Sequence, residues 1–221
     1  SKSGTSIEFG TYIGGSTGSP AETVGNAITV DDNGNFYAGG HTTASDFTTT
    51  VDVYDRAFGG GEEAWIVKYN NNDIKQWQSL LGGSTSSAGQ HEGVYGLDVD
   101  SAGNVYVTGR TQTSDFPTRN NPAQGTAGGG DDAFLSKVSA DGTTLLYSSF
   151  FGGSGNEKGH DVNVDSEGNI VMVGETASSD LPTLNAAQGS LNGATDAFVT
   201  RFNSSGAMLD STYLGGSGNE S

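Results

Sequence analysis

Val99-Asp100-Ser101-Ala102-Gly103-Asn104-Val105-Tyr106-Val107-Thr108-Gly109 reads as a tight turn and the strand that leaves it. Asp at the head of such a turn accepts a bond from a backbone N–H two residues on, and Gly supplies the left-handed conformation. The flanking runs, Leu97-Asp98-Val99 and Val105-Tyr106-Val107-Thr108, are short, apolar or alternating, as strands are. The same turn recurs as VDDNGN at 30–35 and VDSEGN at 164–169.

Three further signatures recur around it in a fixed order. Gly-Gly after an apolar run stands at Gly14-Gly15, Gly82-Gly83, Gly152-Gly153 and Gly215-Gly216, with spacings of 68, 70 and 63. Ser-Asp-apolar stands at Ser45-Asp46-Phe47, Ser114-Asp115-Phe116 and Ser179-Asp180-Leu181. Acid-Ala-aromatic stands at Glu63-Ala64-Trp65, Asp132-Ala133-Phe134 and Asp196-Ala197-Phe198. Internal repetition of this kind governs the fold. Each unit divides into four strands, of which 133–138 and 145–151 are a third and fourth. No segment carries capped helical periodicity.

Four short strands repeated radially make the blade of a β-propeller. The expected fold is therefore all-β, in four-stranded antiparallel blades. The units are set at 7–76, 77–146 and 147–210, with a partial unit at 211–221. The fourth-strand signature appears four times, at 7–15, 77–83, 145–153 and 208–216, and the other three appear three times. That makes three full blades plus an extra outer strand. Rings close with about 4 to 8 blades, so the expectation is an open arc, cut from a longer array or closing with copies of itself. Open blade faces call for a partner.

The chain has 221 residues, with 36 Gly, 4 Pro, no Cys, 9 Lys+Arg and 26 Asp+Glu, and a net charge of −17. Nucleic acid is excluded as a partner, because its affinity comes from phosphate neutralisation by Lys and Arg. Anionic membrane surfaces are disfavoured likewise, and no apolar run is long enough for membrane insertion. Calcium, glycans, cationic partners and other proteins remain open. Without Cys there are no disulfides, thiolate metal sites or cysteine nucleophiles. SKSGTS at the start carries neither Met nor a signal peptide, so a processed or excised chain is expected. The acidic, Gly/Ser/Thr/Asn-rich composition reads as bacterial, and as extracellular or cell-surface.

The combined pattern resembles the bacterial beta-propeller repeat known as SBBP. It is carried by Tyr213-Leu214-Gly215-Gly216-Ser217, Val99 to Thr111, Ser114 to Thr118 and Asp196 to Arg201. The resemblance spans nearly the whole chain. The first repeat departs most, with Thr48 where Pro117 and Pro182 stand and Glu63-Ala64-Trp65 in place of Asp-Ala-Phe. The resemblance implies a propeller fold in a large secreted or surface protein. It implies no catalytic activity and no active-site residues.

Carboxylates supply the candidate site. A Glu follows each Gly-Gly pair, at Glu22, Glu92, Glu157 and Glu220. Asp46, Asp115 and Asp180 sit on the long loop expected to emerge on the same face. A ring of Glu22, Glu92, Glu157, Asp46, Asp115 and Asp180 suits a hard cation with oxygen ligands, calcium first. The opposing reading is a set of solvated turn residues. Asp31, Asn33 and Asn35 begin like a calcium loop, but Phe36 stands where that loop needs Gly. Ser16 lies in a G-x-S-x-G match with no helix after it, which excludes a nucleophile elbow.

His41, His91 and His160 share no repeat position and read as surface or interblade residues. Asp131-Asp132 and Glu62-Glu63 each contribute one member to the repeat, so a structural role explains them. Trp77 and Tyr54 fall outside the repeated aromatic positions. The leading expectation is a non-enzymatic structural or interaction module that binds protein partners or further copies of itself. A calcium-stabilised carbohydrate-binding module is one alternative. A propeller lyase or glycosidase with its site at the ring axis, near Asp98 and Asn163, is the other.

Overall fold

In the computed structural model, residues 9–18, 20–84 and 91–218 are described. They form twelve strands in three antiparallel sheets of four. The first sheet holds β1 (Thr23–Val30), β2 (Phe36–Thr42), β3 (Glu63–Tyr69) and β4 (Lys75–Leu81). The second holds β5 (Glu92–Val99), β6 (Val105–Thr111), β7 (Asp132–Val138) and β8 (Leu145–Phe151). The third holds β9 (Glu157–Val164), β10 (Ile170–Thr176), β11 (Asp196–Phe202) and β12 (Met208–Leu214). Strands pair in sequence order within each sheet, so every connection inside a blade is between neighbours. Among the described residues no helix is long and apolar enough to cross a membrane.

The hairpin turns are built as their sequence demands. Asp100 accepts from the backbone N–H of Ala102 at 3.0 Å and of Asn104 at 2.9 Å, and Gly103 has φ of 80°. Asp31 and Asp165 accept the same pair of N–H bonds in their own turns. These three Asp residues are turn-formers.

The blades stack as wedges. β1 contacts β5, and β5 contacts β9, so the first strands converge on the inside of an arc. One core lies between blades 1 and 2, with Trp77, Leu97, Phe116, Phe134 and Phe150 in it. Another lies between blades 2 and 3, with Tyr106, Tyr147, Phe151, Phe198 and Phe202. Each blade thus packs against the next, and the arc does not close into a ring.

The sheets begin just after the Gly-Gly turns. Unit boundaries at 76/77, 146/147 and 210/211 therefore cut through β4, β8 and β12. The blades run Thr23–Leu81, Glu92–Phe151 and Glu157–Leu214. Residues 9–15 belong to no sheet, yet they hold the seat of a preceding outer strand. Phe9 lies 5.7 Å from Phe36 and 5.5 Å from Tyr69, ring to ring, and Ile13 packs on the same cluster. Residues 7 and 8 of that segment lie outside the described residues.

Trp77 is not an outlier of the repeat. It pairs with Lys68 as Tyr147 pairs with Lys137, so both occupy one position in the fourth strand. Each presses on the turn between the third and fourth strands of the next blade. Trp77 Nε1 donates to Ala140 O at 3.0 Å, and Tyr147 Oη donates to Gly206 O at 3.0 Å. Tyr54 packs against the first interblade core rather than standing free.

Candidate functional site

Each Gly-Gly pair carries the chain from the outer strand of one blade to the inner strand of the next, and the predicted carboxylates gather around it. Asp46 accepts from the N–H groups of Ser16 and Thr17 at 2.7 and 2.8 Å, and from Ser16 Oγ at 2.8 Å. Asp115 accepts from Ser84 N and Oγ at 3.0 and 2.7 Å. Asp180 accepts from Ser154 N and Oγ, both at 2.9 Å. The backbone bond from Thr17 holds Asp46 below the usual carboxylate range, and that from Ser154 does the same for Asp180. All three staple a Gly-Gly-Ser turn to the Ser-Asp loop two strands later.

Glu92 and Glu157 are inside the protein, 0% and 1% exposed. Glu92 accepts from Thr111 Oγ1 at 2.7 Å, from Thr113 Oγ1, and from Gly83 N at 3.1 Å. Glu157 accepts from Thr176 Oγ1 at 2.6 Å and from Gly153 N at 2.7 Å. Glu22 does not join them. Glu92 pairs with Thr111 and Glu157 with Thr176, while it is Thr23 that pairs with Thr42. Thr23 thus takes the repeat position, its Oγ1 2.8 Å from Thr42 Oγ1, and Glu22 lies one residue earlier in solvent. Glu220 lies outside the described residues.

The acid of the acid-Ala-aromatic signature completes this cluster. Glu63, Asp132 and Asp196 open the third strand of each blade and are at most 1% exposed. Glu63 of blade 1 faces Glu92 of blade 2 across Gly82. A Cβ on Gly82 would stand 2.5 Å from Glu92 Oε2 and 2.7 Å from Glu63 Oε1. Asp132 and Glu157 face each other across Gly152, each 2.5 Å from such a Cβ. On Gly153 it would meet Asp180 Oδ1 at 2.5 Å and Ser178 Cβ at 2.6 Å. Both glycines of the pair are therefore needed for space between polar groups, which is why the dipeptide repeats. Burial pushes Glu63 up to about 8 and Glu92 to about 7. It also raises Asp132. Among the described residues no set of three or more His, Asp or Glu is arranged to hold a metal ion, so the six-carboxylate ring does not form as one centre.

A second polar cluster breaks the repeat symmetry. Each first strand carries a bulge, at Asn26, Tyr95 and His160, a device that re-aims a side chain. Each bulged residue meets the residue before the last Thr of the second strand. Asn26 Nδ2 is 3.2 Å from His41 Nδ1, Arg110 Cζ is 5.9 Å from the Tyr95 ring centre, and His160 Nε2 is 3.5 Å from Glu175 Oε2. His91 Nδ1 lies 3.2 Å and His41 Nε2 4.0 Å from Glu62 Oε2. Lys158 Nζ sits 3.9 Å from the centre of the Tyr95 ring. One geometry thus carries three chemistries. The sequence signal was available in His41-Thr42, Arg110-Thr111 and Glu175-Thr176, where the residue before Thr changes each time. At the opposite ends of the first strands, the hairpin turns of all three blades line a cavity of about 690 Å³, with Asp31, Lys68, Asp98, Asp100, Asn163 and Asp165 among its lining residues.

Three four-stranded antiparallel blades whose first strands converge define a β-propeller architecture, here as an open arc. The family comparison agrees. The family model of the beta-propeller repeat SBBP matches residues 8–48 and 93–117, which cover β1, β2, β6 and most of β5. A search of curated proteins finds no match. The repeats mark a structural or interaction module of propeller type.

Proposed function

We propose that this chain is a non-enzymatic assembly module whose blade 3 receives blade 1 of a second copy, β12 displacing residues 9–15 of that copy from the outer-strand seat they hold. One observation carries the reading. Gly39 of blade 1 faces Val94 of blade 2, a Cβ on Gly39 standing 2.8 Å from Val94 Cγ1. Thr108 of blade 2 occupies the position of Gly39, and it faces Gly159 of blade 3, which occupies that of Val94. Each junction pairs a small residue with a larger one. The open ends continue the rule, because blade 3 presents Val173 at the Thr108 position and blade 1 presents Gly25 at the Gly159 position.

The exposures support this. Ile28 is 72% exposed, while its counterparts Leu97 and Val162 are 6% and 3% exposed inside junctions. Val171, Val173 and Leu214 leave blade 3 with an uncovered apolar face, of the kind that marks an interaction site. The setting is proposed to be extracellular or on a bacterial surface, a reading that rests on the acidic, Gly/Ser/Thr/Asn-rich composition. The test is the solution mass by light scattering over a concentration series. Association that rises with concentration and is lost in Val173→Lys supports the reading. A monomer at every concentration, or association untouched by Val173→Lys, refutes it.

The symmetry-breaking cluster favours a second reading, a small polar ligand such as a saccharide near Tyr95. Mixed donors and acceptors around an aromatic ring suit hydroxyl groups. A glycan array is the test, with binding lost in Tyr95→Ala in support and an empty array against it.

A further inference from the structure

Residues 9–15 carry the signature of an outer strand but pair with no sheet, and no described backbone bond involves them. Counting back from the Gly-Gly pair gives each a counterpart in the complete blades. Phe9 stands where Trp77 and Tyr147 stand, and Ile13 where Leu81 and Phe151 stand. Those four side chains are buried at the junctions with the next blade. Phe9 and Ile13 pack in the same way on blade 1, against the cluster that holds Trp65, Tyr69 and Phe36. Phe36 and Tyr69 stack on each other beside Phe9, their ring centres 4.9 Å apart. Tyr12 shows the other side of the segment. It is fully exposed, while its counterparts Leu80, Phe150 and Tyr213 are 1% exposed inside their own blades. The segment is thus a strap. It lies over the outer half of the open face of blade 1, where Trp65 and Tyr69 are buried, and leaves the inner half, with Ile28 and Val30, in solvent. Its described anchor is the Asp46 carboxylate, which holds the N–H groups of Ser16 and Thr17.

We propose that this strap is an autoinhibitory plug, which guards the face of blade 1 against a second copy until β12 expels it. The inference rests on the assembly reading above and names the two residues that set its threshold, Phe9 and Asp210. β12 is the outer strand that blade 3 brings to the seat, and its Leu214 matches Ile13. Asp210 comes to the place of Phe9, since it pairs with Arg201 as Trp77 pairs with Lys68. Arg201 Nε donates to it at 2.7 Å on the surface of blade 3.

An incoming β12 therefore lays a carboxylate on the Phe36–Tyr69 stack that an aromatic ring has left. Burying an ion on apolar surface is costly, whereas a third ring is favoured there. The plug is tethered, so its hold on the seat does not depend on concentration, while expulsion by a second copy does. The plug wins in dilute solution and yields when copies are abundant. Contact of Val173 with Gly25 on the uncovered inner half drives the exchange.

The test is association of the full chain by light scattering over a concentration series, for the unaltered chain and for Phe9→Ser, Asp210→Phe and Tyr12→Ala. Phe9→Ser takes the anchor from the plug. Half-association should move to a concentration lower by about ten- to a hundredfold, the worth of burying one such side chain. Asp210→Phe improves the incoming strand and should shift association the same way. Tyr12→Ala removes an exposed ring and should change nothing. Ile13→Cys, in a chain with no other cysteine, reads the plug directly, and its labelling by a thiol reagent should speed up as chains associate. If Phe9→Ser associates at the concentration of the unaltered chain, with association still lost in Val173→Lys, the plug is overturned and the assembly reading stands. Labelling of Ile13→Cys that is indifferent to association overturns the plug as well. If none of these chains associates, the assembly reading fails and the plug falls with it.

Discussion

Replacing Gly142 by Ala tests the stacking of blade on blade through one methyl group. Gly142 lies in the turn between β7 and β8 with φ of 74°. A Cβ there would stand 2.6 Å from Cδ2 and 2.8 Å from Cγ of Trp77, which belongs to the preceding blade. Gly103 is the matched control. Its φ is 80°, but the nearest atom to its Cβ is Ala140 Cβ at an ordinary 3.4 Å. Gly103→Ala therefore bears only the left-handed backbone cost, about 1–2 kcal/mol. Gly142→Ala bears that cost plus overpacking against a buried indole, about 1–3 kcal/mol more. The expected difference between the two variants is about 2 kcal/mol, or roughly 4–8 °C in Tm for a chain of this size. The assay is thermal unfolding by circular dichroism. A second arm replaces Trp77 by Leu, which should remove most of the excess at Gly142 and leave Gly103→Ala unchanged. Equal losses for the two glycine variants would refute the argument, because Trp77 would then not rest on that turn.

Counterpart residues in the first strands should respond oppositely. Leu97→Ala is expected to cost about 2–5 kcal/mol in denaturant unfolding, and Ile28→Ala at low protein concentration under about 0.5 kcal/mol, because only Leu97 has a blade packed over it. At acid pH the hairpin turn built on Asp100 should weaken. Burial pushes this group up, but hydrogen bonds from Asn104 and Lys137 outweigh it and hold it below its ordinary value. Its contribution is therefore present above the unfolded-state value and lost as pH falls through the folded one, and Asp100→Asn should flatten that acid limb of a stability–pH curve.

The blades were legible because their devices are local and repeat. A V-D-x-x-G-N turn needs only its own six residues, and counting the signatures gave three full blades. One error came from loops of unequal length. Gly15 precedes Thr23 by eight positions, Gly83 precedes Glu92 by nine, and Gly153 precedes Glu157 by four. Proximity to Gly-Gly therefore picked Glu22, while strand pairing picks Thr23. Trp77 could have been placed, since Trp77 and Tyr147 both stand five residues before the first Gly of a pair. The cluster at Asn26, Tyr95 and His160 was hidden more deeply. A bulge breaks the alternation from which facing is read, so His41, His91 and Glu62 gave no sign of meeting. The Glu63–Glu92 couple joins residues of two blades, a proximity that no spacing within one repeat reveals.

Chains without cysteine allow a direct test of the open face. At the existing junction a Cβ on Gly159 would stand 3.1 Å from Thr108 Cβ, close to the 3.5–4.5 Å that a disulfide spans. The corresponding residues at the free ends are Gly25 and Val173, and a Cβ on Gly25 has its nearest neighbour at 3.9 Å, in Trp65. Chains carrying Gly25→Cys are mixed with chains carrying Val173→Cys, oxidised, and separated without reductant. The account predicts rapid cross-linking of the two, well above that of Gly25→Cys with Val51→Cys, an exposed site off the face. Cross-linking no faster than that control would contradict the claim that blade 3 receives blade 1 of another copy.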